Sequence, residues 1–296
     1  MRVSYRGIEP RQPLRIDVDK GHAEVVTLRL WTFTSSTESA EKRNFGGDAP
    51  TDLVAAETGG VDMSAITGEL SAPDGEREVE LRVRLKVKEA DAEELLIAWK
   101  IVDATLIPHG EDRSWERAVK GVEGMRGTSR IARTGQPLES TVTGGGGPDP
   151  TAVELRTTIR RFMAEPGPVY PVEPVGHSAV WEVSRRVVDS GVQTQQTQRF
   201  EVKNIKKSGR VELSERDGAK LLSDAIDMGQ GLNAFDPTVD QFSMSGDASW
   251  KHEPGAIMLI GDAGGVATAR IGLALGYGQM GLKTTVETEI FVSRAP

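Results

Sequence analysis

Across residues 78–88 the side chains alternate without exception: Val79, Leu81, Val83, Leu85 and Val87 are apolar, while Glu78, Glu80, Arg82, Arg84, Lys86 and Lys88 are charged. Only an extended chain puts residues i and i+2 on one side, so this segment is a strand with one buried and one solvated face. Similar segments run at 24–34, 95–104, 128–133, 138–143, 178–189, 192–204, 210–214, 241–251, 266–277 and 282–292, with shorter ones at 14–18 and 256–260. Their connections are tight and rich in turn residues, among them Asp19-Lys20-Gly21, Thr134-Gly135, Lys207-Ser208-Gly209 and Glu253-Pro254-Gly255. Parallel neighbours need crossovers of a dozen residues or more, so the strands must pair antiparallel. The expected fold is mainly β, one or more large antiparallel sheets or a half-barrel.

Three amphipathic helices are expected to interrupt the strands. Asp149 caps the first, with Pro150 at its first position and Val153, Ile159, Phe162 and Met163 as its apolar stripe. A second runs over 112–122, with Trp115, Ala118, Val119 and Val122 on one side. The third begins near Asp217 and gathers Leu221, Leu222, Ala225 and Ile226 on one face.

Two stretches depart from the pattern. Residues 35–60 are Ser, Thr, Glu, Ala and Gly with few apolar anchors, and read as a mobile insertion. Gly144 to Gly147, followed by Pro148, carry no packing side chain and divide the chain into a first β-rich half, 1–143, and a second, 149–296, with 144–148 as linker. Met125-x-Gly127 and Met244-x-Gly246 echo one another weakly, as two similar halves would.

Several motif look-alikes fail on context. Gly276-Tyr277-Gly278-Gln279-Met280-Gly281 fits G-x-G-x-x-G, but a β-branched alternating run follows where a dinucleotide loop needs a helix, so a hairpin turn is expected. His22, His109, His177 and His252 form no ligand pair, and Ser39-Ala40-Glu41-Lys42 lies in the insertion with nothing to hold its geometry. No catalytic, metal-binding or cofactor-binding residue is assigned, and the chain is read as a non-enzyme. The balance of 36 basic against 44 acidic residues, a net charge of −8, argues against a nucleic-acid partner. An apolar leader is missing from the first residues, which leaves a mature envelope protein or a cytoplasmic interaction module.

Two groups of residues invite a binding role. Gln193, Gln195, Gln196 and Gln198 make both faces of one strand polar, as a wall facing a wet surface would be. Trp115, Val119, Phe162, Leu221, Leu222 and Ile226 either line an apolar cleft for a lipid or are consumed in covering the sheet.

Tyr5-Arg6-Gly7 with Pro13-Leu14-Arg15, then Gly121-x2-Gly124-x2-Gly127, then Pro171-Val172-Glu173-Pro174-Val175-Gly176-x2-Ala179-x-Trp181-Glu182-Val183 resemble an uncharacterised family of bacterial cell-envelope proteins, usually predicted lipoproteins. The resemblance implies a periplasmic or cell-surface location and carries no catalytic residue. The architecture also resembles, at the level of fold alone, the half-barrels that carry lipids or lipoproteins across the periplasm. The function expected is therefore a non-enzymatic envelope binding or structural protein, whose partner is another envelope protein or a second copy. A lipid carrier is the alternative.

Overall fold

The computed structural model describes residues 1–42, 75–107, 113–145, 150–164, 167–189, 192–223, 238–275 and 278–295. The strands are β1 (Arg2–Tyr5), β2 (Ile8–Gln12), β3 (Ala23–Lys42), β4 (Gly75–Ala90), β5 (Glu94–Ile107), β6 (Arg126–Ala132), β7 (Pro137–Thr143), β8 (Val175–His177), β9 (Val180–Asp189), β10 (Val192–Ile205), β11 (Val211–Leu221), β12 (Thr238–His252), β13 (Ile260–Leu275) and β14 (Gly278–Arg294). Two helices, α1 (Arg113–Val122) and α2 (Pro150–Ala164), stand among the described residues.

Twelve of the strands form one antiparallel sheet in the order β1-β9-β10-β11-β12-β13-β14-β3-β4-β5-β6-β7. The sheet does not close, and β1 and β7 remain its edges. β2 and β8 pair separately. The longest seam joins β14 to β3, from Gly278 opposite Lys42 to Arg294 opposite Val26. Residues 35–42, expected in a mobile insertion, are thus the end of β3, because β14 offers their backbone a ladder. Residues 43–60 lie outside the described residues.

The face carrying Leu28, Leu81, Leu85, Ile101, Trp181, Phe200 and Leu213 is the core side, called the inner face here. Each such side chain contributes roughly 1.5–3 kcal/mol on burial. α1 buries Trp115, Ala118, Val119 and Val122, and α2 buries Leu155, Ile159 and Met163. The helices pack on one another, α1 against β5 and α2 beside β7. Ser129 Oγ donates to the Met163 carbonyl at 2.7 Å and ties α2 to β6.

The third expected helix does not begin at Asp217. Asp217 to Leu221 continue β11, because β10 and β12 supply a ladder on both sides and Glu215, Asp217, Ala219 and Leu221 keep one strand phase. Ala225 and Ile226 lie outside the described residues. Two expected strands are instead buried loops. Leu14, Ile16 and Val18 alternate into the core, but the Arg133 guanidinium donates to the carbonyls of Ile16 and Val18, and Ile16 N donates to the Arg133 carbonyl. Ala256, Ile257, Met258 and Leu259 are all buried, and the Glu24 carboxylate accepts from the amides of Ile257 and Met258. In both places a side chain does the work of a neighbouring strand. Of the glycine motif, Gly278 to Gly281 open β14, which pairs antiparallel with β13 with Gly278 opposite Leu275, where a dinucleotide loop would need a helix; residues 276–277 lie outside the described residues.

Of the residues that resemble the envelope family, Tyr5 and Val172 are exposed, whereas Gly7, Gly176 and Trp181 are packing residues. A Cβ on Gly176 would sit 1.8 Å from the Ile8 carbonyl oxygen, and one on Gly7 2.4 Å from that of Gly176, so two backbones meet there with no room for a side chain. Trp181 is fully buried, stacks on Phe200 with centroids 5.3 Å apart, and donates from Nε1 to the Val169 carbonyl.

Candidate functional site

A strand phase that runs Val211, Leu213, Glu215, Asp217 carries two acids into the inner face. Glu215 is 7% exposed. Gln198 Nε2 of β10 donates to its Oε1 at 2.7 Å, and Trp250 Nε1 of β12 donates to its Oε2 at 2.6 Å. The Asp217 carboxyl hydrogen-bonds that of Glu215. Two carboxyl groups share such a bond only when one keeps its proton. Burial, then the charge of Asp217, pushes Glu215 up from 4.5 to about 8, so Glu215 holds the proton at neutral pH. Burial raises Asp217 as well, and the positive charge of Arg185 opposes that rise. Arg185 stands on β9, with its guanidinium 3.5 Å from Gln196 Oε1, and burial lowers its affinity for its proton.

A catalytic acid pair must present an oxygen to its substrate. Both Glu215 oxygens accept, from Gln198 and from Trp250, while Asp217 Oδ1 is buried with no hydrogen-bond partner among the described residues.

Beside the pair the sheet is floored by small residues. Asp217 is in register with Gly246 and Glu215 with Ala248. The rows continue as Gly246–Gly265–Thr288, Ala248–Ala263–Ile290 and Met244–Ala267–Val286 across β12, β13 and β14. These inner positions are half exposed, whereas the same face of β4 and β5 is buried. On the far side of the floor, Leu30, Thr32, Arg77, Val79, Trp115, Leu155 and Thr158 line a small cavity with room for about one water. Arg77 lies over the Trp115 ring there, 4.8 Å from its centroid.

The structure does not bring the expected apolar cleft together. Trp115 and Val119 are core, and Phe162 is half-buried against them. Leu221 joins a separate cluster with Val239, Ile271, Phe242 and Val192. Leu222 is 43% exposed, and Ile226 lies outside the described residues. The cleft failed with the third helix: Leu221 ends β11 in the phase of Asp217, and Leu222 lies past the strand's end. The four glutamines also divide, Gln196 and Gln198 to the inner face, Gln193 and Gln195 to the exposed outer one. Arg185, Glu215, Asp217 and Trp250 were missed as site residues. An acid in the phase of Val211 and Leu213 was the signal available for Glu215 and Asp217.

His252 is buried, with Tyr170 Oη 2.9 Å from its Nδ1, and His177 Nδ1 is 2.8 Å from Ser178 Oγ at a turn where Ser178 has φ 64°. Among the described residues no three His, Asp or Glu side chains cluster as metal ligands would. No family model matches the chain, and no curated protein matches it.

Proposed function

We propose that the chain is a non-enzymatic binding protein of the cell envelope that takes an elongated apolar ligand of the acyl-chain class along the inner face of β12 to β14. The observation that carries this reading is the half-exposed floor of Gly246, Ala248, Ala263, Gly265 and Ala267 on a face whose other part is buried under large side chains. Glycine and alanine leave depth above a sheet, and Met244, Val286 and Ile290 give that depth apolar sides. The Glu215–Asp217 pair with Arg185 closes one end with polar groups, as suits a ligand with a polar head. The envelope location rests on the family resemblance of residues 171–183 and their neighbours.

Among the described residues, the cavity lined by Trp115 and Leu155 under the helices has room for about one water. A ligand therefore lies beside the helices rather than under them. Titration with a dansyl-labelled fatty acid tests this. Saturable binding is expected for the native chain, lost in Ala267→Trp, which fills the floor, and kept in Ser249→Trp on the outer face. Absence of saturable binding, or binding indifferent to Ala267→Trp, overturns the reading.

A further inference from the structure

The outer face of β4 is charge-segregated along a single strand. Glu76, Glu78 and Glu80 occupy its first half, and Arg82, Arg84 and Lys86 the second, all on one side. The sequence of signs is antisymmetric about Leu81. Turned end for end, Glu80 meets the position of Arg82, Glu78 that of Arg84 and Glu76 that of Lys86. No bulge interrupts β4 itself between Glu76 and Lys86, since the irregularity there adds a residue to β5 and the one in β4 falls at Lys88.

We infer that this outer face docks on its own copy, β4 antiparallel to β4 across a two-fold axis that passes at Leu81. Six complementary charge pairs then form, three and their symmetry mates. On β3 the same operation sets Trp31, registered with Glu78, over Val25, registered with Arg84, so an aromatic ring meets an aliphatic side chain beside the charges. Trp31 and Val25 are both half-buried in the single chain. Arg84 and Lys86 are exposed and make no ion pair among the described residues, while on the acidic half Arg29 bridges Glu78 and Glu80 at 3.2 and 3.1 Å and Trp31 Nε1 donates to Glu76 at 2.7 Å. The isologous arrangement is self-complementary, as a two-fold interface requires. Strands β14, β3, β4 and β5 offer roughly 14 residues by four strands, on the order of 900 Å², which matches the ~800 Å² per partner of a standard interface. Exposed ion pairs are individually weak and screened by salt, so the dimer is salt-sensitive.

Sedimentation velocity of the full chain tests the proposal. A dimer is expected at low salt, with its dissociation constant rising about tenfold or more when salt is raised to several hundred millimolar. Glu78→Lys with Glu80→Lys makes the stripe basic, and Arg82→Glu with Arg84→Glu makes it acidic. Each double variant is expected to be monomeric alone, and their equimolar mixture to form the dimer again, since every facing pair is then opposite in sign. A monomeric native chain, variants that dimerise like the native chain, or a mixture that stays monomeric overturns the inference. Should circular dichroism show a charge reversal to unfold, Glu78→Gln with Arg84→Gln is measured instead, and an unchanged salt dependence there overturns it equally.

Discussion

The inner faces of β4–β5 and of β12–β13 are built on equally regular antiparallel ladders, yet one is dry and the other half wet. Leu81, Val83, Leu85, Ile97 and Ile101 are buried to 2% exposure or less. Met244, Gly246, Ala248, Ala263 and Ala267 occupy the matching phase and stay half exposed. Backbone hydrogen bonding is the same in both, so the ladder decides that a sheet forms and side-chain volume decides what can lie on it.

The difference should be largest on truncation. Leu81→Ala empties a fully enclosed site and is expected to cost about 2–5 kcal/mol in urea unfolding. Met244→Ala removes a side chain with solvent on one side and should cost under about 1 kcal/mol. Equal losses would mean that the β12–β13 face is as well covered as the β4–β5 face.

Glycines sharpen the same contrast. A Cβ on Gly127 would fall 2.1 Å from the Thr141 carbonyl oxygen and 2.6 Å from the Trp99 ring. Neither the backbone nor a Trp99 that is 2% exposed has room to yield. Gly127→Ala is therefore expected to destabilise by about 1–3 kcal/mol, at the upper end of that range, read from the denaturation midpoint.

Two buried groups beside the β12–β13 face also oppose one another in pH. Glu215 binds its proton more tightly folded than unfolded, so between about 4.5 and about 8 the native state carries the extra proton and stability falls as pH rises. The slope reaches at most about 1.4 kcal/mol per pH unit. His252, buried at the end of β12 against Tyr170, has its affinity lowered by burial, so its contribution is present above its ordinary 6.5 and is lost as pH falls below it. Glu215→Gln should weaken the decline with rising pH, leaving the part that the raised Asp217 contributes, and keep the acid one. Melting curves at several pH values between 5 and 8 would contradict this if native and variant chains declined in parallel.

What was legible in the sequence follows the same division. Strict alternation marked β4 because its two faces differ sharply, and the helix around Trp115 and Val119 announced itself by its apolar stripe. The stretch after Asp217 was misleading because Leu221, Leu222, Ala225 and Ile226 fit a helical face when read locally, while the ladders from β10 and β12 come from residues distant in sequence. The loops at 14–18 and 256–259 carry strand-like or buried composition, but the groups that satisfy their backbones, Arg133 and Glu24, are far away in the chain. The acid pair could have been suspected from phase alone. Its donors, Gln198 and Trp250, sit on neighbouring strands whose register no local pattern fixes.

The smallest expected effect is a gain. Gly264 lies on the outer face of β13, and a Cβ there would meet nothing nearer than Glu289 Cγ and the Thr288 carbonyl oxygen, both at 3.8 Å, which is ordinary contact. Its backbone is not in the left-handed region, so alanine adopts it without strain. The folded state is then nearly unchanged while the unfolded chain loses freedom, and Gly264→Ala should stabilise by about 0.4–1 kcal/mol. The same exchange at Gly246 places a Cβ 2.9 Å from the Gly264 carbonyl oxygen, which is backbone and cannot move aside cheaply. Gly246→Ala should therefore destabilise although it sits on the half-exposed inner floor. A gain at both positions would show that the floor's glycines are spare and that the depth above β12 and β13 is not set by them.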